Sequence, residues 1–156
     1  MRTSLAAPCR SLDEGLPAYQ VVQPEYNLHD RAGYEGELRD FCIREGLGVV
    51  TYYSLASGFL TGKYRSAEDL GKSVRGQGVA RYLTPRGQAI LNALDRVARD
   101  HSVKPAEVAL AWLIQRKGVT APIASATSVA QVESFARAAS LMMNHGDIDA
   151  LDAAGA

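Results

Sequence analysis

Three short stretches place groups capable of ligand chemistry where apolar segments give way to polar ones. In 125–131, SATSVAQ, small hydroxyl residues precede an amphipathic pattern. A helix opening at Val129 would aim free backbone N–H groups at that turn. That is an anion site in kind, to which Ser125, Thr127 and Gln131 could add hydrogen bonds. The helix dipole supplies ~0.3–2 kcal/mol there, depending on burial. The same residues also describe an ordinary capped helix, with Ser128 and Gln131 as a capping box. In 48–64, GVVTYYSLASGFLTGKY, a β-branched run ends in two tyrosines, a turn of small residues and a lysine. Parallel strands of α/β proteins end in this way at ligand sites. Strand alternation puts Tyr52 and Tyr53 on opposite faces. One ring can stack on a flat ligand, worth roughly 0.5–1.5 kcal/mol beyond burial; packing of both in the core is the alternative. Gln23 precedes Pro24 at the end of a short strand, where its amide either faces a pocket or is buried on backbone partners. Lys63 and Arg75 could hold an anion, or stand solvated.

The elements that must position these groups follow in order. Residues 19–27 read as a strand, 34–45 as a helix and 48–53 as a second strand: a βαβ unit, right-handed and parallel. Tyr34, Leu38, Phe41, Cys42 and Glu45 share one face of that helix, and Gly46 suits a left-handed stop. Residues 64–83 show no clear period and read as a long irregular segment. Thr84-Pro85 opens a helix with an apolar stripe of Ile90, Leu91, Leu94, Val97 and Ala98. Pro105 opens another, with Val108, Ala111 and Trp112 inward and Glu107 and Gln115 on its polar side. Arg116 and Lys117 complement the dipole at its end. Residues 119–124 form a third strand, interrupted at Pro122. The next helix has Val129, Val132, Phe135, Ala136 and Ala139 as its apolar positions. A short last helix follows, with Asp147 as its cap. Residues 1–15 read as an irregular leader.

Composition narrows the function. The 156 residues carry 17 Lys+Arg against 17 Asp+Glu, so no basic excess points to nucleic acid or an anionic membrane. No apolar run approaches the ~20 residues that span a bilayer, and the first ten residues hold no long apolar signal segment. Cys9 and Cys42 have no metal-ligand spacing; Cys42 reads as a buried small hydrophobe, and the cytoplasm as the compartment. His29, His101 and His145 form no zinc motif. There is no GxSxG elbow, no GxxxxGK[ST] loop and no GxGxxG turn.

QPEYNLHDR, YEGELRDFC, GLGVVTYYSLASGFLTGKYR, PAEVALAWL and APIASATSVAQVE together resemble the C-terminal half of an aldo-keto reductase, from about Leu16 to the end. The resemblance implies an α/β fold: part of a (β/α)8 TIM barrel that uses NADP(H) to reduce aldehydes and ketones, here covering strands six to eight. It implies that Gln23 bonds the nicotinamide carboxamide and that Tyr53 stacks on the nicotinamide ring. Ser54, Leu55, Ala56 and Gly58 would line the pyrophosphate path, with Lys63 reaching phosphate and Arg75 closing over the cofactor. Ser125, Ala126, Thr127 and Gln131 would hold the adenosine phosphate end. Phe135 stands where members often carry the Asn that binds adenine.

By the same resemblance, the family's catalytic Asp, Tyr, Lys and His belong to the first four strands. No residue here is assigned to catalysis. Two readings follow. One is the cofactor-binding part of an enzyme whose full-length parent takes a small-molecule carbonyl substrate. The other is a non-catalytic half-barrel that binds nucleotide or assembles as a homo-oligomer. In both, open sheet edges invite self-association.

Overall fold

The computed structural model describes residues 15–73 and 76–156. Arg75, Cys9 and nearly all of the expected leader lie outside the described residues. Among the described residues, three short strands form one parallel sheet in the order β1-β2-β3. They are β1 (Val21–Val22), β2 (Gly48–Thr51) and β3 (Ala121–Pro122). Val21 pairs with Gly48 and Val22 with Val49; Val50 pairs with Ala121 and Thr51 with Pro122. The regular strands are shorter than the sequence suggests because proline interrupts two of them. Beyond Pro24 only a single bridge, between Glu25 and Tyr52, continues the first ladder.

One face of the sheet is dry and the other is open. Val49 and Thr51 are fully buried against the helices. Val21, Tyr52 and Ile123, on the alternating positions, are 54%, 38% and 40% exposed.

The helices are α1 (Glu37–Arg44), α2 (Gly76–Val79), α3 (Pro85–Asp100), α4 (Pro105–Ile114), α5 (Val129–Ser140) and α6 (His145–Ala154). Gly46 ends α1 with φ +67°, as expected of a left-handed stop. Cys42 is buried on the inner side of α1, while Glu45 is exposed. Thr84 caps α3, its Oγ1 accepting from the Gly87 amide at 3.1 Å, and all five expected apolar residues of that helix are buried. The segment expected to be irregular is instead a succession of short helical turns: Ala67–Lys72, α2 and Ala80–Tyr82. A capping box of Ser66 with Asp69 starts the first of them, and Arg65 ties it to Asp95 on α3 at 2.8 Å.

Two helix faces differ from expectation for one reason. Glu107 lies inside, only 1% exposed, and not on a polar side of α4. It accepts from Ser134 Oγ at 2.6 Å and Arg137 at 2.9 Å, both on α5, and from the Lys104 amide at 3.3 Å. That anchor turns Ser134 and Ala138 inward. Val129 and Val132, expected to be apolar contacts, are left 75% and 57% exposed. Gln115 is likewise engaged, donating to the Leu141 carbonyl at 3.0 Å. At α6 the cap is Asn144, and Asp147 is its reciprocal partner; Asp147 also meets His101 Nε2, at the end of α3, at 2.8 Å.

A second network surrounds Trp112, which is fully buried as expected. Arg116 and Arg31 lie over the indole, with guanidinium carbons 4.7 and 5.5 Å from the ring centre. Asp152 on α6 accepts from Trp112 Nε1 at 3.0 Å and from Arg116 at 2.7 Å. Glu35 accepts from Tyr26 Oη at 2.7 Å, Arg31 at 3.0 Å and Arg116 at 3.3 Å. Arg116 therefore makes specific ion pairs at the end of α4 beyond any help it gives the dipole.

Burial opposes ionisation of Glu107 and Glu35, but the hydrogen bonds from Arg137 and Ser134, and from Tyr26 and Arg31, outweigh it and hold both carboxyls below their ordinary 4.5. A lowered native pKa stabilises the fold fully above pH 4.5, and that contribution is lost as the pH falls below it. Acid titration followed by circular dichroism should show this loss. Glu107→Ala should cost about 2–3 kcal/mol in urea unfolding, because three donors lose one buried acceptor.

Candidate functional site

Because all three strands are parallel, their carboxyl ends share one rim. The rim carries Gln23 after β1, the 53–58 turn after β2 and the 125–131 turn after β3. Gln23 is exposed, so the alternative of an amide buried on backbone partners does not hold.

Among the described residues, the turn after β2 holds three of the four non-glycine residues with positive φ. Tyr53, Ala56 and Ser57 have φ of 52°, 48° and 57°, followed by Gly58 at 95°. Left-handed geometry is costly for residues with a Cβ and persists only where the surroundings impose it. At Gly58 an added Cβ would also lie 3.4 Å from Lys63 Cε, so the turn closes tightly over the lysine stem. Lys63 is exposed, with Nζ 4.9 Å from the Tyr64 ring centre.

The positive φ changes the expected disposition of the tyrosines. Tyr53 has left the extended conformation, so alternation no longer separates its ring from that of Tyr52. The ring centres are 5.2 Å apart at 56°, and the rings are 52% and 38% exposed. Neither is a core residue. Ser54 turns the other way: it is buried, with Oγ donating to the Thr51 carbonyl at 3.1 Å and 3.3 Å from Thr51 Oγ1. Its hydroxyl therefore serves the turn and is not offered to the rim. Ala56 is buried and Leu55 half-buried.

After β3, Ser125, Ala126, Thr127 and Gln131 are all exposed. The expected capping box is replaced by a longer reach. Gln131 Oε1 accepts from the Thr127 amide at 2.6 Å and from Thr127 Oγ1 at 3.2 Å, while Ser128 makes no side-chain cap bond. Gln131 shapes the turn and leaves the start of α5 without a side-chain cap. Exposed first-turn N–H groups of this kind suit an anion.

Three groups escaped the sequence reading: Asn27, Asp30 and Tyr82. Asn27 is fully buried and binds the Tyr53 carbonyl; Asp30 takes a hydrogen bond from Tyr82 Oη at 2.7 Å. Burial opposes ionisation of Asp30, yet contacts from His29, Tyr82 and Asn27 outweigh it and hold the carboxyl well below its usual range. Burial, reinforced by the Asp30 bond, pushes the Tyr82 phenol up. The one legible signal was Asn27 three residues ahead of Asp30 directly after a strand, a pattern typical of side-chain-closed turns. A cleft of about 320 Å3 lies beside this cluster, lined by Glu25, His29, Asp30, Arg31, Arg81 and Arg86 among others; among the described residues, none of the expected ligand residues lines it.

The aldo/keto reductase family model matches residues 6–156, starting ahead of the Leu16 boundary expected from the motifs. The chain belongs to the aldo/keto reductase family. An L-glyceraldehyde 3-phosphate reductase of Escherichia coli O157:H7 is 32% identical over 125 residues, covering 76% of this chain and 36% of that protein. An uncharacterized oxidoreductase of Mycobacterium bovis is 40% identical over 129 residues, 77% of this chain and 38% of its own length. A probable voltage-gated potassium channel subunit beta of Oryza sativa subsp. japonica is 34% identical over 121 residues, 72% of this chain and 36% of its own length. The chain thus spans little more than a third of the length of these relatives. Among its described residues no helix is long and apolar enough to cross a membrane.

Ser54→Ala should lower stability by about 1 kcal/mol in urea unfolding, the net worth of an ordinary hydrogen bond. Its bonds are internal to the turn.

Proposed function

We propose that this chain is the cofactor-holding, carboxy-terminal part of an NADP(H)-dependent aldo/keto reductase acting in the cytoplasm on aldehydes and ketones. In this reading β1, β2 and β3 are strands six, seven and eight of a (β/α)8 barrel. The observation that carries it is the shared rim: three parallel strands in chain order that end at an exposed amide, a left-handed turn and an uncapped helix start.

The residues at the rim fit a dinucleotide. Gln23 would bond the carboxamide and Tyr53 would cover the nicotinamide face. The close-packed backbone of Ser54, Leu55, Ala56 and Gly58 would run along the pyrophosphate, with Lys63 and Arg75 supplying positive charge. Ser125, Ala126, Thr127 and the start of α5 would take the adenosine phosphate, the turn being shaped by Gln131. When bound, the nicotinamide supplies the hydride that a carbonyl carbon accepts. The carbonyl oxygen then needs a proton donor held close to it. That donor, with its Asp, Lys and His partners, belongs in this reading to the first four barrel strands, outside this sequence. The chain alone would bind cofactor without turning over carbonyls.

A second reading, a half-barrel that assembles, is favoured by the open sheet face of Val21, Tyr52 and Ile123. Apolar positions on an uncovered face with two free edges drive association.

Two measurements separate these readings. NADPH titrated into the purified chain should show saturable enhancement of nicotinamide fluorescence, weakened about tenfold in Tyr53→Ala by loss of stacking, with no carbonyl reduction. Absence of binding overturns the first reading, and turnover overturns the claim of inactivity. Light scattering after size exclusion should show self-association, reduced in Ile123→Lys; a cooperative monomer overturns the second.

A further inference from the structure

The Asn27 side chain is fully buried, and all of its hydrogen-bonding groups are engaged. Nδ2 donates to the Tyr53 carbonyl at 3.1 Å and to Asp30 Oδ2 at 3.2 Å. Oδ1 accepts from the His29 and Asp30 amides, each at 2.9 Å. The partners fix the amide's orientation: the reverse would set its NH2 against two backbone N–H groups. Three of these bonds close a local turn. The fourth reaches 26 residues along the chain, to the residue where the backbone turns left-handed.

That fourth bond lies where the sheet ladder runs out. The Tyr52 amide donates to the Pro24 carbonyl at 3.0 Å, and the Tyr26 amide to the Tyr52 carbonyl at 3.3 Å. Among the described residues no further backbone pairing extends this ladder, because Tyr53 turns away at φ 52°. The Asn27 side chain supplies the next rung. The Tyr53 carbonyl then accepts twice, from Asn27 and from the Ala56 amide at 2.7 Å. The Ala56 bond belongs to the turn itself and travels with it. The Asn27 bond ties the turn to the β1 side of the rim, and so meets the need for outside constraint on a strained tyrosine.

We propose that Asn27 is a positioning residue for Tyr53: through the Tyr53 carbonyl it holds the left-handed backbone that presents the ring at the sheet rim. This rests on the reading of Tyr53 as the ring that covers the nicotinamide. Asn27 itself touches no ligand in this scheme. Asp30, which shares the amide, also accepts from Tyr82, so one buried side chain links the ring to the end of the 64–82 segment.

The test uses the full chain with Asn27→Ser and Asn27→Ala. Serine can still accept from the turn amides but cannot reach the Tyr53 carbonyl. The first readout is the backbone of Tyr53 itself, from the amide–α-proton coupling and carbon shifts in NMR spectra. Both variants should lose the left-handed signature at Tyr53 while signals from α3 and α4 persist. The second readout is NADPH affinity by nicotinamide fluorescence. Both variants should bind about tenfold more weakly, and Asn27→Ser combined with Tyr53→Ala should bind no more weakly than Tyr53→Ala alone. If Asn27→Ala does not fold, Asn27→Ser carries both comparisons. Retention of left-handed Tyr53 in Asn27→Ser, or additive loss of affinity in the double variant, overturns the proposal. If the unaltered chain does not bind NADPH, the cofactor reading fails, and the NMR readout still decides the role of Asn27 in the turn.

Discussion

The ion-pair and aromatic network around Trp112 is the constraint on which the rest depends. It joins three parts of the chain that are distant in sequence: the stretch from the loop after β1 to the approach to α1 through Tyr26, Arg31 and Glu35, the end of α4 through Arg116, and α6 through Asp152. Each charge meets an opposite charge, and the indole and phenol groups bury their polar atoms only where acceptors wait. Removing one member would strand the others in a poorly hydrated place. Tyr26 sits in this network with its ring 4.8 Å from Tyr34 and 5.4 Å from Trp112. Its neighbour Asn27 therefore starts from a fixed point, and the reach to Tyr53 is possible because the network has already set the path of the loop.

The sequence disclosed what local chemistry decides. Thr84-Pro85 and Pro105 announce helix starts by the physics of a first turn that lacks amide partners, and the structure follows. Gly46 announces a stop for the same kind of reason. What tertiary pairing decides was not legible. Glu107 looked like a surface residue because charge ordinarily means exposure, and nothing nearby in sequence names its partners Ser134 and Arg137. With that pair hidden, the hydrophobic pattern of α5 pointed to the wrong face. The tyrosine pair failed likewise: alternation assumes that the strand continues, and Tyr53 is where it stops.

The rim of the sheet was legible in outline and not in detail. Residue types marked the positions after each strand, and parallel topology brings those positions to one edge. The sequence could not show that Ser54 spends its hydroxyl on Thr51, or that Gln131 spends its carbonyl on Thr127. Both side chains build the walls of the rim. The open side of the sheet bears on the same point. Among the described residues the sheet is dry on its helical side, and its opposite side is uncovered.

Trp112 is the only tryptophan in the chain. Two guanidinium groups lie over its ring, and it donates its indole proton to a carboxylate on α6. Its emission is therefore a built-in gauge of one junction, free of signal from any other indole. Loosening of α6 from the loop after β1 would let water reach the ring and shift its light to the red, even while the helices themselves stayed wound.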